Sequence, residues 1–139
     1  MREILFRGKT ESDKWKYGDL ITADWYSDER TYIVQLGQKC QIVPETIGQY
    51  TGLTDKNSKK IFEGDIAQGN AFGSIWQGEI VWIDEIAGFG IRYFHRSDPT
   101  AWENSSILKA MKYKKDIFAA EIIGNIHDNP ELLKEADNE

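Results

Sequence analysis

The run GEIVWIDEIAGFGIRYF, from Gly78 to Phe94, constrains the fold more than any other stretch of the chain. Ile80 to Ile83 form an arm rich in β-branched and aromatic residues, Asp84 to Gly88 supply turn chemistry, and Phe89 to Phe94 form the return arm. On the return arm Phe89, Ile91 and Tyr93 share one face, and Gly90, Arg92 and Phe94 share the other. That is the period of a half-buried strand. The stretch therefore predicts an antiparallel hairpin.

The flanking segments repeat this chemistry in shorter pieces. Glu3 to Arg7 reads as a strand, and Trp15 to Ile21 as a second strand interrupted at Gly18. Tyr32, Val34 and Leu36 alternate on one half-buried face; a turn at Gly37 then leads into Cys40 to Val43, completing a hairpin that Pro44 ends. A further strand begins near Glu63, and Gln68 to Trp76 reads as a flexible glycine-bearing link. His95 to Ser105 is a loop by composition, with Pro99 barring a central strand. Ile107 to Lys115 fits a short helix, and Phe118 to Ile126 returns to strand chemistry. Asp128 to Ala136 predicts a terminal helix capped by Asp128 or Asn129, with Pro130 at its first position. Eight or so short strands without strand–helix–strand alternation predict an all-β (β-dominated) fold: a small barrel-like or sandwich domain of short antiparallel strands with one or two short helices. A length of 139 residues fits one domain spanning 1–139.

Composition narrows the function classes. The 17 aromatic residues (five Trp, six Tyr, six Phe) suit a small β core. The net charge of −6 counts against a non-specific duplex binder, despite the local cluster Lys109, Lys112, Lys114 and Lys115. Cys40 is the single cysteine, which excludes an intrachain disulfide and suits a reducing compartment. Neither a secretory leader nor an apolar run of membrane-spanning length is evident, so the expectation is a cytoplasmic protein with no membrane association.

Chemistry-bearing constellations are sparse. His95, His127 and Cys40 have no metal-ligand spacing, and a strand-borne Cys40 reads as a buried, inert thiol. Glu63 and Asp65 lie two apart; on a strand they would share a face and could hold a divalent cation or do acid–base work, although a turn role competes. Asp84 and Glu85 would diverge in a hairpin turn. The glycine pairs in GQYTG and GNAFG lack the lysine and the strand-to-helix context of a phosphate loop. Trp76, Trp82, Phe89 and Phe94 could stack single-stranded bases. The competing reading buries them in the core, with Trp82 mid-strand between Val81 and Ile83.

The stretch from Thr46 to Ile66, TIGQYTGLTDKNSKKIFEGDI, is the most distinctive. Pro44 to Tyr50 reads as a bend packing Ile47 and Tyr50. Gly52 to Lys59 reads as a turn in which Asp55 and Asn57 bond their own backbone, with Asn57 able to take φ > 0. Gly64 sits where a bulge or turn excludes a side chain.

Four segments together, MREILFR, VPETIGQYTGLTDKNSKKIFEGDI, GEIVWIDEIAGFGI and EIIGNIHDNPELL, occur in this order, and through them nearly the whole chain resembles the YopX family of phage and prophage proteins. Ser58 departs from the pattern, standing where that family tends to place glycine. The resemblance implies a small β-rich protein encoded by a phage or prophage and acting inside a bacterial host. It brings no catalytic residues, metal or cofactor. It marks Gln49, Tyr50, Gly52, Asp55, Glu63, Gly64 and Asp65 as a shared surface or a shared scaffold; Gln49, Tyr50, Asp55, Glu63 and Asp65, joined by Trp76, are the candidate interaction residues. The leading expectation is a non-enzymatic accessory protein that forms a homo-oligomer and binds a host or phage protein. The alternative is a single-stranded nucleic-acid-binding barrel, and an enzyme using Glu63 and Asp65 with a divalent cation ranks third.

Overall fold

The structure, a computed structural model, describes residues 2–25, 28–71, 73–96, 104–106 and 120–133. Eleven strands lie among them, every observed pairing is antiparallel, and helix is confined to single turns and residues 131–133. The all-β expectation holds. The strands form two open sheets rather than a closed barrel. The chain divides into two compact units, Met1–Gly52 and Leu53–Glu139.

In the first unit β1 (Phe6–Lys9) lies between β2 (Trp15–Trp25) and the start of β5 (Gly48–Thr54), and β3 (Asp28–Gln35) and β4 (Gln38–Gln41) extend the sheet outward from β2. The centre is fastened at Lys9. Its N–H donates to Thr46 Oγ1 at 2.8 Å, its carbonyl accepts from Val43 N at 2.8 Å, and the Thr46 hydroxyl donates to the Val43 carbonyl at 2.7 Å. Those bonds seat the 3₁₀ turn Pro44–Thr46 that leads into β5. Arg7 and Lys9 are buried, which costs free energy unless their charge is met. The Trp15 ring lies 4.7 Å from the Arg7 guanidinium and 5.3 Å from Lys9 Nζ, and Asp13 pairs with Lys9 at 2.6 Å.

Four sequence expectations fail in this unit. β2 runs through Gly18 without interruption, because a side chain there would collide with the Val34 carbonyl of the neighbouring strand. The buried residue of β3 is Ile33, while Tyr32 and Val34 are only half-buried, so the covered face is opposite to the one the alternation suggests. Leu36 leaves the strand altogether. It forms, with Gly37, a two-residue turn in which both take positive φ, 50° and 80°. Cys40 is half-buried rather than buried.

The second unit holds the end of β5, β6 (Lys60–Phe62), which follows β5 in the sheet order, and a five-stranded sheet. That sheet is ordered β10 (Asn104–Ser106), β9 (Gly88–Arg96), β8 (Ser74–Ile83), β7 (Asp65–Ala71), β11 (Glu121–Asn125). The predicted hairpin is present, with Ile80 opposite Ile91, Trp82 opposite Phe89, and a 3₁₀ turn at Asp84–Ile86. Ile61, Ala67, Ile80, Ile91 and Ala120 make the core, with Leu53, Trp76, Phe89, Tyr93 and Ile122 packed against it. Each fully buried isoleucine stabilises by roughly 1.5–3 kcal/mol, so this cluster outweighs any surface ion pair.

Where the flexible link from Gln68 to Trp76 is expected, residues 68–71 and 74–76 are instead paired strand, with Gly69 opposite Trp76. Gly69 permits this pairing because the Trp76 ring lies where a side chain would stand. His95 and Arg96 belong to β9 and Asn104 and Ser105 to β10, so both ends of the expected loop are strand, and residues 97–103 lie outside the described residues. The expected helix at Ile107 to Lys115, with its four lysines, lies outside the described residues. Of the expected terminal helix, residues 131–133 are helical and those from 134 lie outside.

Glu79 stands opposite Arg92 across β8 and β9. Burial pushes its carboxyl above the ordinary value of 4.5, and the Arg92 charge only partly offsets this. A raised acid favours the folded state while protonated. That contribution is full below pH 4.5 and is lost as pH rises through the folded-state value. Urea denaturation of Glu79→Gln should therefore match the wild type near pH 4 and exceed it at pH 7. A less stable variant at pH 7 would mean that the attraction to Arg92 outweighs desolvation.

Candidate functional site

The motif from Asp55 to Asp65 contains two nearly inaccessible carboxylates, Asp55 (2% exposed) and Asp65 (1%). Burial of an acid next to glycine-rich turns is the pattern that suggests a site, so what each oxygen does is decisive.

Asp55 Oδ1 accepts from the main-chain N–H groups of Asn57 and Lys59, both at 2.9 Å. Its own N–H donates to the Lys59 carbonyl at 2.8 Å and its carbonyl accepts from Ser58 N at 2.9 Å, closing a five-residue turn. Asp55 Oδ2 reaches across 67 positions to accept from Ile122 N at 2.9 Å, while Lys56 N donates to the Ala120 carbonyl at 3.2 Å. The turn thus lies along β11, the last strand of the five-stranded sheet, and covers an edge that would otherwise present open main-chain groups. The left-handed residue of this turn is Ser58, at φ 66°, and not Asn57. It is the same position at which the sequence departs from the glycine expected there.

Asp65 serves the next corner. Its Oδ2 accepts from Phe62 N at 2.8 Å as the chain leaves β6 and enters β7. Gly64 occupies the corner at φ 89°, where its N–H donates to the Ile80 carbonyl and its carbonyl accepts from Ile126 N, both at 2.9 Å. Glu63 lies in this turn and not on a strand, so the expected common face of Glu63 and Asp65 does not exist. Glu63 is half-buried and Asp65 buried, and an Asp65 oxygen is already committed to the backbone.

The remaining candidates are spread through the fold. Gln49, opposite Phe6, and Tyr50, whose N–H donates to the Leu5 carbonyl at 2.8 Å, lie on β5 in the first unit. Tyr50 is buried. Trp76 is half-buried on β8 in the second unit and meets Tyr93 edge-on at 5.4 Å. Trp82, open in the sequence between a stacking surface and the core, lies at the surface. It is 48% exposed, against the core reading, stands edge-on to Phe89 at 5.2 Å and donates its indole N–H to Asp84 Oδ1 at 2.8 Å. The tip it occupies also exposes Ile86. A recess of about 270 Å³ in the first unit is lined by Lys16, Ile33, Gln35, Leu36, Gln38 and Cys40, none of them a predicted site residue. Among the described residues, no three His, Cys, Asp or Glu side chains converge in a metal-ligating arrangement, and no helix is long and apolar enough to cross a membrane.

The family model for the YopX protein matches residues 5–134, and the chain belongs to that family. Its fold is similar to the crystal structure of protein EF1440 from Enterococcus faecalis, at 22% identity and a TM-score of 0.51, covering 96% of this chain and 99% of that one. At that identity the likeness is one of fold. No match was found among curated proteins.

Two substitutions test the structural role of the motif. Asp55→Ala strands three main-chain donors and should cost about 3–5 kcal/mol in chemical denaturation, lowering the melting temperature by roughly 10 °C. Ser58→Gly relieves the left-handed backbone and should stabilise by about 0.5–1 kcal/mol. An Asp55→Ala protein as stable as the wild type would remove the carboxylate from its bracing role.

Proposed function

We propose that this chain is a non-enzymatic accessory protein, encoded by a phage or prophage, that acts in the bacterial cytoplasm by associating with itself and with a phage or host protein. The observation that carries the reading is the division of labour among its side chains. The buried acids of the central motif hold main-chain N–H groups, whereas Leu36, Trp82 and Ile86 stand at the surface. Exposed aromatic side chains are enriched at protein contact sites, and Trp82 with Ile86 beside it supplies one.

The exposed Trp82 ring also favours a second reading, single-stranded nucleic-acid binding. It ranks behind because Asp84 holds the indole N–H and Glu85 lies beside it, so the ring is flanked by charges that repel phosphate. Light scattering over a concentration series should give a mass above the monomer, and an oligonucleotide should leave tryptophan fluorescence unchanged at low salt. A strict monomer would refute the self-association reading. Salt-sensitive quenching would favour the nucleic-acid reading instead.

A further inference from the structure

The β8–β9 hairpin ends in an aromatic corner whose shape is already fixed. Trp82 is 48% exposed, and every residue from Asp84 to Ala87 is exposed. An exposed tryptophan ordinarily samples several rotamers, and a partner must freeze them on binding. Here the ring is held twice. Asp84 Oδ1 accepts its indole N–H at 2.8 Å, and the Phe89 ring lies 5.2 Å away at 79° to it. Asp84 is itself fixed by the turn, where its carbonyl accepts from Ala87 N at 3.1 Å. The indole donor is thus consumed within the hairpin, so Trp82 offers a partner its π face rather than its N–H.

The charges around the ring specify the occupant. Between Gly78 and Ile91 the charged residues are Glu79, Asp84 and Glu85, all acidic. Glu79 lies back along β8 opposite Arg92, so Asp84 and Glu85 set the sign of charge at the tip. An indole face attracts cations, and carboxylates beside it add to the same preference. Guanidinium suits this corner better than ammonium. It is flat enough to stack on an indole, is more weakly hydrated, and presents a fork that matches a carboxylate. The exposed Ile86 gives an arginine's methylene stem an apolar neighbour.

We propose that Trp82, Asp84, Glu85 and Ile86 form the docking point for an arginine-bearing segment of a partner protein, the guanidinium stacking on the Trp82 ring and pairing with the Glu85 carboxylate. This rests on the protein-association reading above and names the chemistry of the partner. Asp84 acts as a positioning residue, holding the ring in the orientation that the guanidinium meets.

A fluorescein-labelled peptide of alternating glycine and arginine tests this by anisotropy, with lysine and citrulline versions for comparison. Indole N–H signals in the ¹⁵N spectrum locate the contact, the Trp82 signal being the one missing from Trp82→Phe. The arginine peptide should bind saturably and shift the Trp82 signal, the lysine peptide should bind several-fold more weakly, and the neutral citrulline peptide should not bind. Trp82→Leu should weaken arginine binding at least about tenfold and Glu85→Gln about three- to fivefold. Binding that survives Trp82→Leu would be the general attraction of an acidic chain for a basic peptide and would overturn the site, as would an unmoved Trp82 signal. If Trp82→Leu disturbs the other indole signals, Glu85→Gln and the peptide series on the wild type decide. Light scattering of the same samples separates this site from self-association. An oligomer that ignores the peptide loses the tip alone, whereas a strict monomer that binds it at Trp82 keeps the tip and loses self-association. An oligomer that the peptide dissociates would seat a second copy at the tip and overturn a different protein as its occupant.

Discussion

The Asp55 carboxylate is the interaction on which the second unit depends. One oxygen fixes the turn from Asp55 to Lys59, and the other holds Ile122, so a single side chain joins segments that are 67 positions apart. A buried carboxylate is expensive to desolvate unless its lone pairs are filled. Here main-chain N–H groups fill them, and in return those donors are satisfied away from bulk water. Asp65 repeats the device at the corner between β6 and β7, where Gly64 supplies the backbone conformation that other residues resist. The two aspartates make the central motif a pair of braced corners.

That arrangement explains why a motif so rich in Asp, Asn and Gly need not be an active site. The residue types that suit catalysis also suit tight turns, because a short carboxylate can serve either a substrate or its own backbone. At Asp55 the accepted bonds all come from main-chain donors, two in the turn itself and one on β11. Ser58 carries the cost of the same turn, holding a left-handed conformation that glycine would adopt without strain. The family to which the chain belongs is therefore recognised through a stretch whose visible work is to hold strands in place.

Much of the fold was legible in the sequence, and the misses share one cause. The β8–β9 hairpin was readable because both arms alternate and the turn residues fall between them, and the observed facing of Ile91, Phe89 and Tyr93 agrees with that pattern. The covered face of β3 is not legible locally, because Tyr32, Ile33 and Val34 are all strand formers and only the neighbouring strand decides which is covered. Gly69 and Gly73 suggested a flexible link, yet the ring of Trp76 fills the space over Gly69 and makes strand of it. The neighbours Val81 and Ile83 favour a core position for Trp82 over a stacking surface, whereas it lies where the hairpin outruns the core. Asp55 was correctly read as bonding its own turn, but the bond to Ile122 depends on a contact that no local pattern announces.

The central claim is that the buried acids brace the backbone. Native-state hydrogen exchange at the amides of Phe62 and Ile122 tests it most directly, because each N–H is held by one of the two carboxylates. The account predicts that both exchange as slowly as core amides of β8 and β9, opening only with the unit as a whole. Exchange of either amide at the rate of an open turn, while the β8–β9 amides stay protected, would contradict it.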